Sequence, residues 1–326
     1  MAEHNLLDAV NMALRRAMSD DQRVLVLGED VGIDGGVFRA TDGLYQSFGA
    51  GRVLDMPLSE TVIAGVAVGL AAQGFHPVAE IQFMGFIYST IDQLVNHASR
   101  LRTRTRGRLS CPMVLRAPYG GGVHAPEHHS ESTESMLAHI PGLRVVIPSS
   151  PGRAYGLLLA AIADPDPVVF LEPKRIYRAF AEEVPDDGTA LPLDTCFQLR
   201  EGADVTLISW GAMIVDTLNA AEALARDGIE ADVIDVATLS PLDTTTLLES
   251  VARTGRAVVV HEAALTAGYG AEIVARISEH GLFELKAPVL RVTGLDTVMP
   301  LARLEAHYLP GVERICEAAR ASVAYT

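Results

Sequence analysis

The sequence predicts an α/β protein of two domains, in which mostly parallel sheets are flanked by helices. Short runs rich in Val, Ile and Leu alternate with Ala- and Leu-rich amphipathic segments, a pattern typical of parallel α/β folds. The chain has 326 residues, more than one hydrophobic core usually serves. The alternation fails over residues 181–202, where acidic residues, prolines and a glycine are typical of a segment between domains.

Local patterns predict the individual elements on either side of that segment. The first part is expected to contain helices over residues 5–18, 61–73 and 87–102. Its strands are expected over residues 24–27, 78–83, 113–116, 144–147 and 168–171. The second part is expected to contain strands over residues 204–209, 232–236, 257–260 and 289–292, and helices over residues 214–226, 244–253, 269–280 and 312–323. The predicted domains are therefore residues 1–180 and 203–326, joined by a linker over 181–202.

The charge balance argues against nucleic acid as a partner. The net charge is −15, and the one basic run, over residues 100–108, is interpreted as a solvated or interface helix end. The three cysteines show neither zinc-ligand spacing nor a disulfide framework, which favours a reducing compartment. Neither a signal peptide nor an apolar stretch of membrane-spanning length is recognisable, so a cytoplasmic protein without a membrane partner is expected.

The first candidate site residue is Glu60, which follows Met-Pro-Leu-Ser at the predicted start of an almost uncharged helix. One interpretation is a carboxylate favoured by the helix dipole, with Ser59 as the N-cap. The other is a carboxyl group held against an apolar wall, whose pKa is raised so that it can share a proton. The residue pattern by itself favours the first interpretation.

Two further segments carry candidate residues. Residues 127–132 read Glu-His-His-Ser-Glu-Ser, and His128 and His129 are suited to proton transfer near neutral pH, with a plain surface loop as the alternative. A glycine run at 120–122 precedes them and is compatible with close backbone approach or with a simple loop. Residues 80–88 combine Gln82, Phe86 and Tyr88, which indicates either core packing or stacking against a planar cofactor ring.

In their order along the chain, these segments resemble the beta subunit of the decarboxylating component of 2-oxo acid dehydrogenase complexes, a transketolase-like family. The matching motifs are Leu-Gly-Glu-Asp-Val at 27–31, Pro-Leu-Ser-Glu at 57–60, Ala-Pro-Tyr-Gly-Gly-Gly at 117–122, His-His-Ser-Glu-Ser at 128–132 and Glu-Pro-Lys at 172–174. The resemblance extends to Thr-Gly-Leu-Asp-Thr at 293–297 and so covers nearly the whole chain. Each motif alone is weak, whereas the collinear set is specific.

The resemblance implies a role for each candidate. Glu60 would hydrogen-bond N1′ of the aminopyrimidine ring of thiamine diphosphate, which needs a carboxyl group in a site shielded from water. His129 would face the substrate side of that cofactor and assist acyl transfer, with His128 of lesser weight. Phe86 would pack beside the aminopyrimidine without a hydrogen bond, since it lacks a hydroxyl group.

The resemblance also implies residues outside these motifs. Glu29 and Asp92 match acidic positions between two cofactor sites, so a proton relay and a structural interface role both stay open. Backbone oxygens near Ala161, Asp164 and Asp166 match a monovalent cation site, for which K⁺ is the candidate ion.

The implied protein works only with partners. The chain contains no Gly-Asp-Gly motif, the signature by which such enzymes hold Mg²⁺ and the diphosphate, so a separate alpha subunit is expected to hold both. The implied assembly is an alpha-two, beta-two heterotetramer that decarboxylates a 2-oxo acid and acylates the lipoyl group of an acyltransferase component. Pyruvate, branched-chain 2-oxo acids and acetoin stay open as substrates. The alternative from another class is a non-catalytic docking subunit.

Overall fold

The computed structural model describes residues 3–325, which form two compact units. The first unit comprises residues 3–119 and 136–193, and the second comprises residues 120–135 and 194–325. No helix among the described residues is long and apolar enough to cross a membrane. All three cysteines are buried free thiols.

A parallel sheet forms the core of the first unit. The strands of this sheet that belong to the first unit are β2 (Val24–Gly28), β3 (Val53–Asp55), β4 (His76–Glu80), β5 (Val114–Tyr119), β6 (Arg144–Val146) and β7 (Val168–Pro173). They lie in the order β6-β7-β5-β4-β2-β3, and every neighbouring pair is parallel. Since all of their carboxyl ends lie at one edge of the sheet, the loops that follow β2, β4 and β5 begin close together.

The α-helices of this unit alternate with its strands along most of the chain. They are α1 (Leu6–Asp20), α2 (Leu44–Phe48), α3 (Glu60–Ala72), α4 (Ile91–Asn96), α5 (Leu101–Arg104), α6 (Glu134–Ala138, at the boundary of the units) and α7 (Pro151–Ala163). Helix α1 begins with a capping box, because the Asn5 side chain accepts from the backbone of Asp8 and the Asp8 carboxylate accepts in return. Its buried face contains only Ala, Val, Leu and Met.

Two elements predicted for this unit are wrong in extent. The strand expected over 78–83 ends at Glu80, and the helix expected over 87–102 is divided into four short helical pieces: Met84–Thr90, α4, Ala98–Arg100 and α5. The side chains of Ser89 and Thr90 donate to backbone carbonyls of Phe86 and Ile87. Such local bonds compete with a continuous helix, and this explains why an apolar period alone overstated its length.

The second unit is built on a five-stranded sheet. Its strands are β9 (Phe197–Arg200), β10 (Val205–Ser209), β11 (Ala231–Asp235), β13 (Ala257–Ala264) and β14 (Leu290–Gly294), in the order β14-β13-β10-β11-β9 with only β9 antiparallel. Its helices are α8 (Met213–Arg226), α9 (Thr244–Thr254), α10 (Gly270–Gly281), α11 (Ala302–Tyr308) and α12 (Val312–Val323), and β12 spans Thr238–Ser240. Helices α8 and α12 pack on the sheet through the apolar core.

The segment predicted to be an irregular linker contains two strands. Strand β8 (Ala181–Glu183) pairs antiparallel with β1 (Glu3–Asn5), while β9 pairs with β11. The prediction failed because both strands are short and half-exposed at sheet edges, where charged side chains are tolerated. The pattern also assigned residues 120–135 to the first domain, whereas they pack with the second unit.

Candidate active site

The first cluster of candidate residues lies where β2 and β4 end. These strands are parallel neighbours, with Gly28 paired to Glu80. Glu29 follows β2 directly and is almost fully buried. Its Oε1 atom is buried and has no hydrogen-bond partner among residues 3–325. A buried carboxylate oxygen without a partner is unusual, which marks this edge of the sheet as a place where a polar ligand would be accommodated.

Glu60 lies in the first turn of α3 and is half-buried. Ser59 occupies the N-cap position in an extended conformation, but its side chain makes no capping hydrogen bond. Ser59 is thus the N-cap residue expected from the sequence, although it lacks the capping side-chain hydrogen bond. The Glu60 carboxylate lies in the first turn, where the helix dipole favours a negative charge. Thr61 binds the neighbouring segment, because its hydroxyl donates to the Ser89 carbonyl at 2.7 Å.

Glu29 and Glu60 interact electrostatically. Burial raises the pKa of the Glu29 carboxyl above its ordinary value, and the charges of Glu60 and Asp30 raise it further. A backbone hydrogen bond from Ser59 opposes that shift without cancelling it. The arrangement is a pair of carboxyl groups in which one disfavours the ionisation of the other, a common basis for proton sharing.

The remaining candidates of the first unit differ in their contacts and in their exposure. The Gln82 amide donates to Asp30 at 3.1 Å, beside Glu29. Phe86 is half-buried and meets Phe83 edge-to-face, with ring centroids 5.9 Å apart. Tyr88, by contrast, is exposed.

Asp92 is also exposed, on α4, where its carboxylate accepts from the side chains of Gln93 and Asn96. Its two oxygens are thus engaged within its own helix.

A buried charged network supports this edge of the sheet. The Arg116 guanidinium donates to both oxygens of Glu172, at 2.6 and 3.0 Å, and to Glu80 at 2.8 Å. The Tyr177 hydroxyl donates to Glu172 at 2.6 Å. Burial raises the pKa of the Glu80 carboxyl, although Arg116 opposes the shift. The motif that contains Glu172 was singled out from the sequence, whereas the role of Arg116 was not. The available signal for Arg116 was a charged residue inside a buried strand.

The histidine candidates lie in the second unit, on the short helical turn Glu127–His129. Their rings meet edge-to-face with centroids 4.1 Å apart. His128 is exposed and lies 3.7 Å from the Glu127 carboxylate, whereas His129 is half-buried. A backbone hydrogen bond joins the two ends of this loop, because the Gly120 amide donates to the Glu131 carbonyl at 3.0 Å.

Two carboxylates missed by sequence reasoning hold the start of this loop. Glu262, on β13, accepts from the Gly121 amide at 2.9 Å. Glu305, on α11, accepts from the amides of Gly122 and His124 at 2.6 and 3.1 Å. Both glutamates are almost fully buried. For Glu262 the available signal was an acidic residue near the end of an apolar strand, whereas the sequence contains no such signal for Glu305.

The residues expected near a monovalent cation have their side chains engaged. Arg144 lies 2.9 Å from the Asp164 carboxylate, and Arg102 donates to Asp166 at 2.7 Å. The Ala161 carbonyl accepts from the Asp164 amide at 3.4 Å. A cation here would therefore have to use backbone oxygens. No group of three or more His, Cys, Asp or Glu side chains in the described part of the chain is arranged to hold a metal ion.

The basic run is exposed at the end of α5. A cavity of about 480 Å³ lies beside it, lined by Val95, Ser99, Arg100, Thr103, Arg104, His139, Ile140 and Pro141. Its lining includes neither Glu29 nor Glu60, so this cavity is separate from the carboxylate pair.

Comparison with known proteins places the chain among enzymes of the transketolase type. The family "Transketolase, pyrimidine binding domain" matches residues 3–179, and "Transketolase, C-terminal domain" matches residues 195–315. A solved split-gene transketolase, described as an inactive beta4 tetramer, superposes with a TM-score of 0.82 over 99% of each chain. Its sequence is 24% identical, so this likeness shows the fold alone.

Closer relatives are each named "pyruvate dehydrogenase E1 component subunit beta". The protein from Bacillus subtilis (strain 168) is 48% identical over 98% of each chain. The Acholeplasma laidlawii protein is 48% identical over 97% of this chain and 96% of its own, and a Staphylococcus epidermidis protein (strain RP62A) is 46% identical over the full length of both. The chain belongs to this family of E1 beta subunits of thiamine-diphosphate-dependent 2-oxo acid dehydrogenases, which confirms the fold class and family predicted from its motifs.

Proposed function

We propose that this chain forms an alpha-two, beta-two heterotetramer that oxidatively decarboxylates a 2-oxo acid and acylates the lipoyl group of an acyltransferase component. The observation that carries the proposal is the pair of carboxyl groups at the edge of the first sheet. Glu60 is the first residue of the apolar helix α3, and the pKa of the buried Glu29 carboxyl beside it is raised. A docking subunit without catalysis has no need for such a costly arrangement.

The residues of the first unit fit the pyrimidine half of thiamine diphosphate. When bound, this cofactor supplies the nucleophilic carbon that attacks the keto group of the substrate. Glu60 holds a proton at N1′ of the aminopyrimidine, and the carboxyl of Glu29, whose pKa is raised by burial and by the charge of Glu60, lies beside it. The buried Oε1 of Glu29, without a partner among the described residues, is available to a polar ligand group. Phe86 supplies a flat apolar contact.

The other roles follow the same proposal. His129 moves a proton during acyl transfer, as its position on a half-buried loop permits. Mg²⁺ and the diphosphate are held by the alpha subunit. Backbone oxygens around Ala161, Asp164 and Asp166 would hold K⁺, because the carboxylates of the two aspartates are paired with arginines.

An exposed apolar surface beside Glu60 supports a protein partner. Leu58, two residues before the start of α3, is 85% exposed, and Val62, in the first turn of α3, is 43% exposed. Exposed apolar patches are typical of protein–protein interfaces. We assign this surface to the alpha subunit.

Pyruvate is the favoured substrate, because the relatives of highest identity described above are named for it. The test is co-expression with the alpha-type chain of the same organism, followed by 2-oxo-acid-dependent reduction of an artificial electron acceptor. Pyruvate, 3-methyl-2-oxobutanoate and acetoin are compared with and without thiamine diphosphate. We expect pyruvate to give the highest kcat/KM.

Glu60→Gln tests the catalytic role and should lower kcat by roughly 10²-fold or more, the usual contribution of a positioned proton-transfer group. Glu272→Gln is the matched control, because Glu272 also lies in the first turn of a helix, α10 in the second unit. Equal activity in both variants would contradict the assignment of Glu60. Two chains that co-purify without activity on any substrate would favour the docking subunit, and preference for 3-methyl-2-oxobutanoate or acetoin would replace pyruvate.

A further inference from the structure

The loop that carries His128 and His129 begins at three consecutive glycines, Gly120–Gly122. The Gly121 amide donates to Glu262 and the Gly122 amide to Glu305. The two carboxylates come from different elements, β13 and α11, both within the second unit. The start of the loop is thus bound to the carboxylates of residues more than a hundred positions later in the sequence.

Glu305 uses both of its carboxylate oxygens on this loop. Oε1 accepts from Gly122, and Oε2 accepts from the His124 amide and lies 2.7 Å from His124 Nδ1. Its side chain is only 3% exposed. A desolvated carboxylate is costly unless its oxygens are hydrogen-bonded, and bonds to a charged acceptor are stronger than those between neutral groups. The loop and Glu305 therefore stabilise one another in a single geometry.

Glycine is needed on the loop side of this contact. A Cβ added to Gly120 would lie 2.4 Å from Glu262 Oε1, and one added to Gly121 would lie 2.5 Å from the terminal methyl of Met299. Gly120 and Gly122 also adopt φ values of +82° and +87°, a region that favours glycine. The glycine run thus serves the approach of two carboxylates from the same chain.

We propose that Glu305, assisted by Glu262, is a positioning residue that fixes the orientation of the loop Gly120–Glu131 and hence of His129. The inference rests on the proposed function only for the task of His129. Glu305 touches the backbone at Gly122 and His124, five residues before that histidine, and acts on the reaction through the loop.

The test uses the alpha–beta complex and two independent readouts. Glu305→Gln keeps the side-chain shape but replaces one acceptor oxygen by an NH₂ group, which cannot accept from an amide. We expect hydrogen exchange to become faster on the order of 10-fold at whichever of the Gly122 and His124 amides loses its acceptor, the factor for losing a hydrogen bond to a charged group. Glu317→Gln, an exposed change on α12, is the matched control.

Kinetics then separate positioning from a purely structural role. Glu305→Gln should lower kcat on the step that His129→Gln impairs, with KM for the 2-oxo acid unchanged. The double variant should be no worse than His129→Gln alone, since both changes act on the same group. Glu305→Asp should recover part of the activity because it restores a carboxylate.

Gly122→Ala disturbs the contact between Gly122 and Glu305 from the loop side. This second variant tests the proposal if Glu305→Gln does not fold. Wild-type exchange at Gly122 and His124 in Glu305→Gln would overturn the proposal, and so would additive kinetic effects. A wild-type complex without activity would instead contradict the proposed function, while the exchange rates would still decide whether Glu305 holds the loop.

Discussion

The charge of Glu60 raises the pKa of the Glu29 carboxyl, which is almost fully buried just after the end of β2. The two residues are 31 positions apart in the sequence, and the sheet edge together with the start of α3 brings them within electrostatic reach. The pair is costly to the folded chain, because an ionised Glu29 lies beside a second carboxylate with one oxygen lacking a partner among the described residues.

Glu29→Gln is expected to stabilise the free chain at neutral pH. A carboxyl group with a raised folded pKa makes a contribution to stability that is present below its unfolded pKa of about 4.3 and is lost as the pH rises through the folded pKa. The free energy of unfolding of the variant should therefore exceed that of the wild type, and the difference should grow as the pH rises from about 5 to about 8, a range above the unfolded pKa. Thermal unfolding across this range measures the gain. Glu222→Gln, on an exposed face of α8, is the control, and a gain that does not change with pH would contradict the assignment.

The folded chain is expected to lose stability in mild acid because of the buried His261. Burial, aided by the charge of Arg291, lowers its pKa to about 4. Between about 6.5 and 4 the unfolded chain binds this proton and the folded chain does not, so stability falls as the pH falls, by at most about 3 kcal/mol. The single tryptophan, Trp210, stacks on the His261 ring at 5.2 Å and reports the transition by fluorescence. In His261→Gln this dependence of stability on pH should be smaller. If stability still falls with pH as steeply as in the wild type, other groups cause the loss.

Arg116→Met is expected to destabilise the first unit by about 3–5 kcal/mol, because it leaves the buried carboxylates of Glu80 and Glu172 without their cation. Hydrogen exchange of amides in β5 and β7 measures the effect within that unit. Combining Arg116→Met with Glu80→Gln and Glu172→Gln should restore part of the loss, since no uncompensated charge then stays buried. If the triple variant is less stable than Arg116→Met, the charges are not the cause.

Leu58→Arg is expected to weaken association with the alpha subunit and to leave the fold intact. Leu58 is 85% exposed, so its replacement should change the free energy of unfolding by less than about 0.5 kcal/mol. Co-purification and the temperature of unfolding are the two measurements. Phe283→Arg is the control, because Phe283 is 99% exposed in the second unit. Undiminished association of Leu58→Arg would remove this surface from the proposed interface.

Much of the fold was predictable because its determinants are local. Helix α12 spans the predicted residues 312–323, and α1 begins where the Asn5–Asp8 capping box indicates. Alternating apolar runs located the strands of both sheets, apart from the short edge strands and the ends of β4, β5 and β13, because side chains that share a buried face recur at a fixed spacing. Collinear motifs identified the family, and Glu60 and His129 were singled out from the sequence as candidates.

Which of these residues lie close together depends on the packing of distant segments. The pairing of Glu29 with Glu60, the Arg116 network and the attachment of the histidine loop to Glu262 and Glu305 join residues between 31 and 183 positions apart. Such contacts depend on strand order and on how helices pack, which no local period encodes. Local sequence patterns were therefore sufficient for most of the elements, for the family and for the candidate groups. Their electrostatic environment was decided by burial and by distance in space, because both arise only when distant segments pack together.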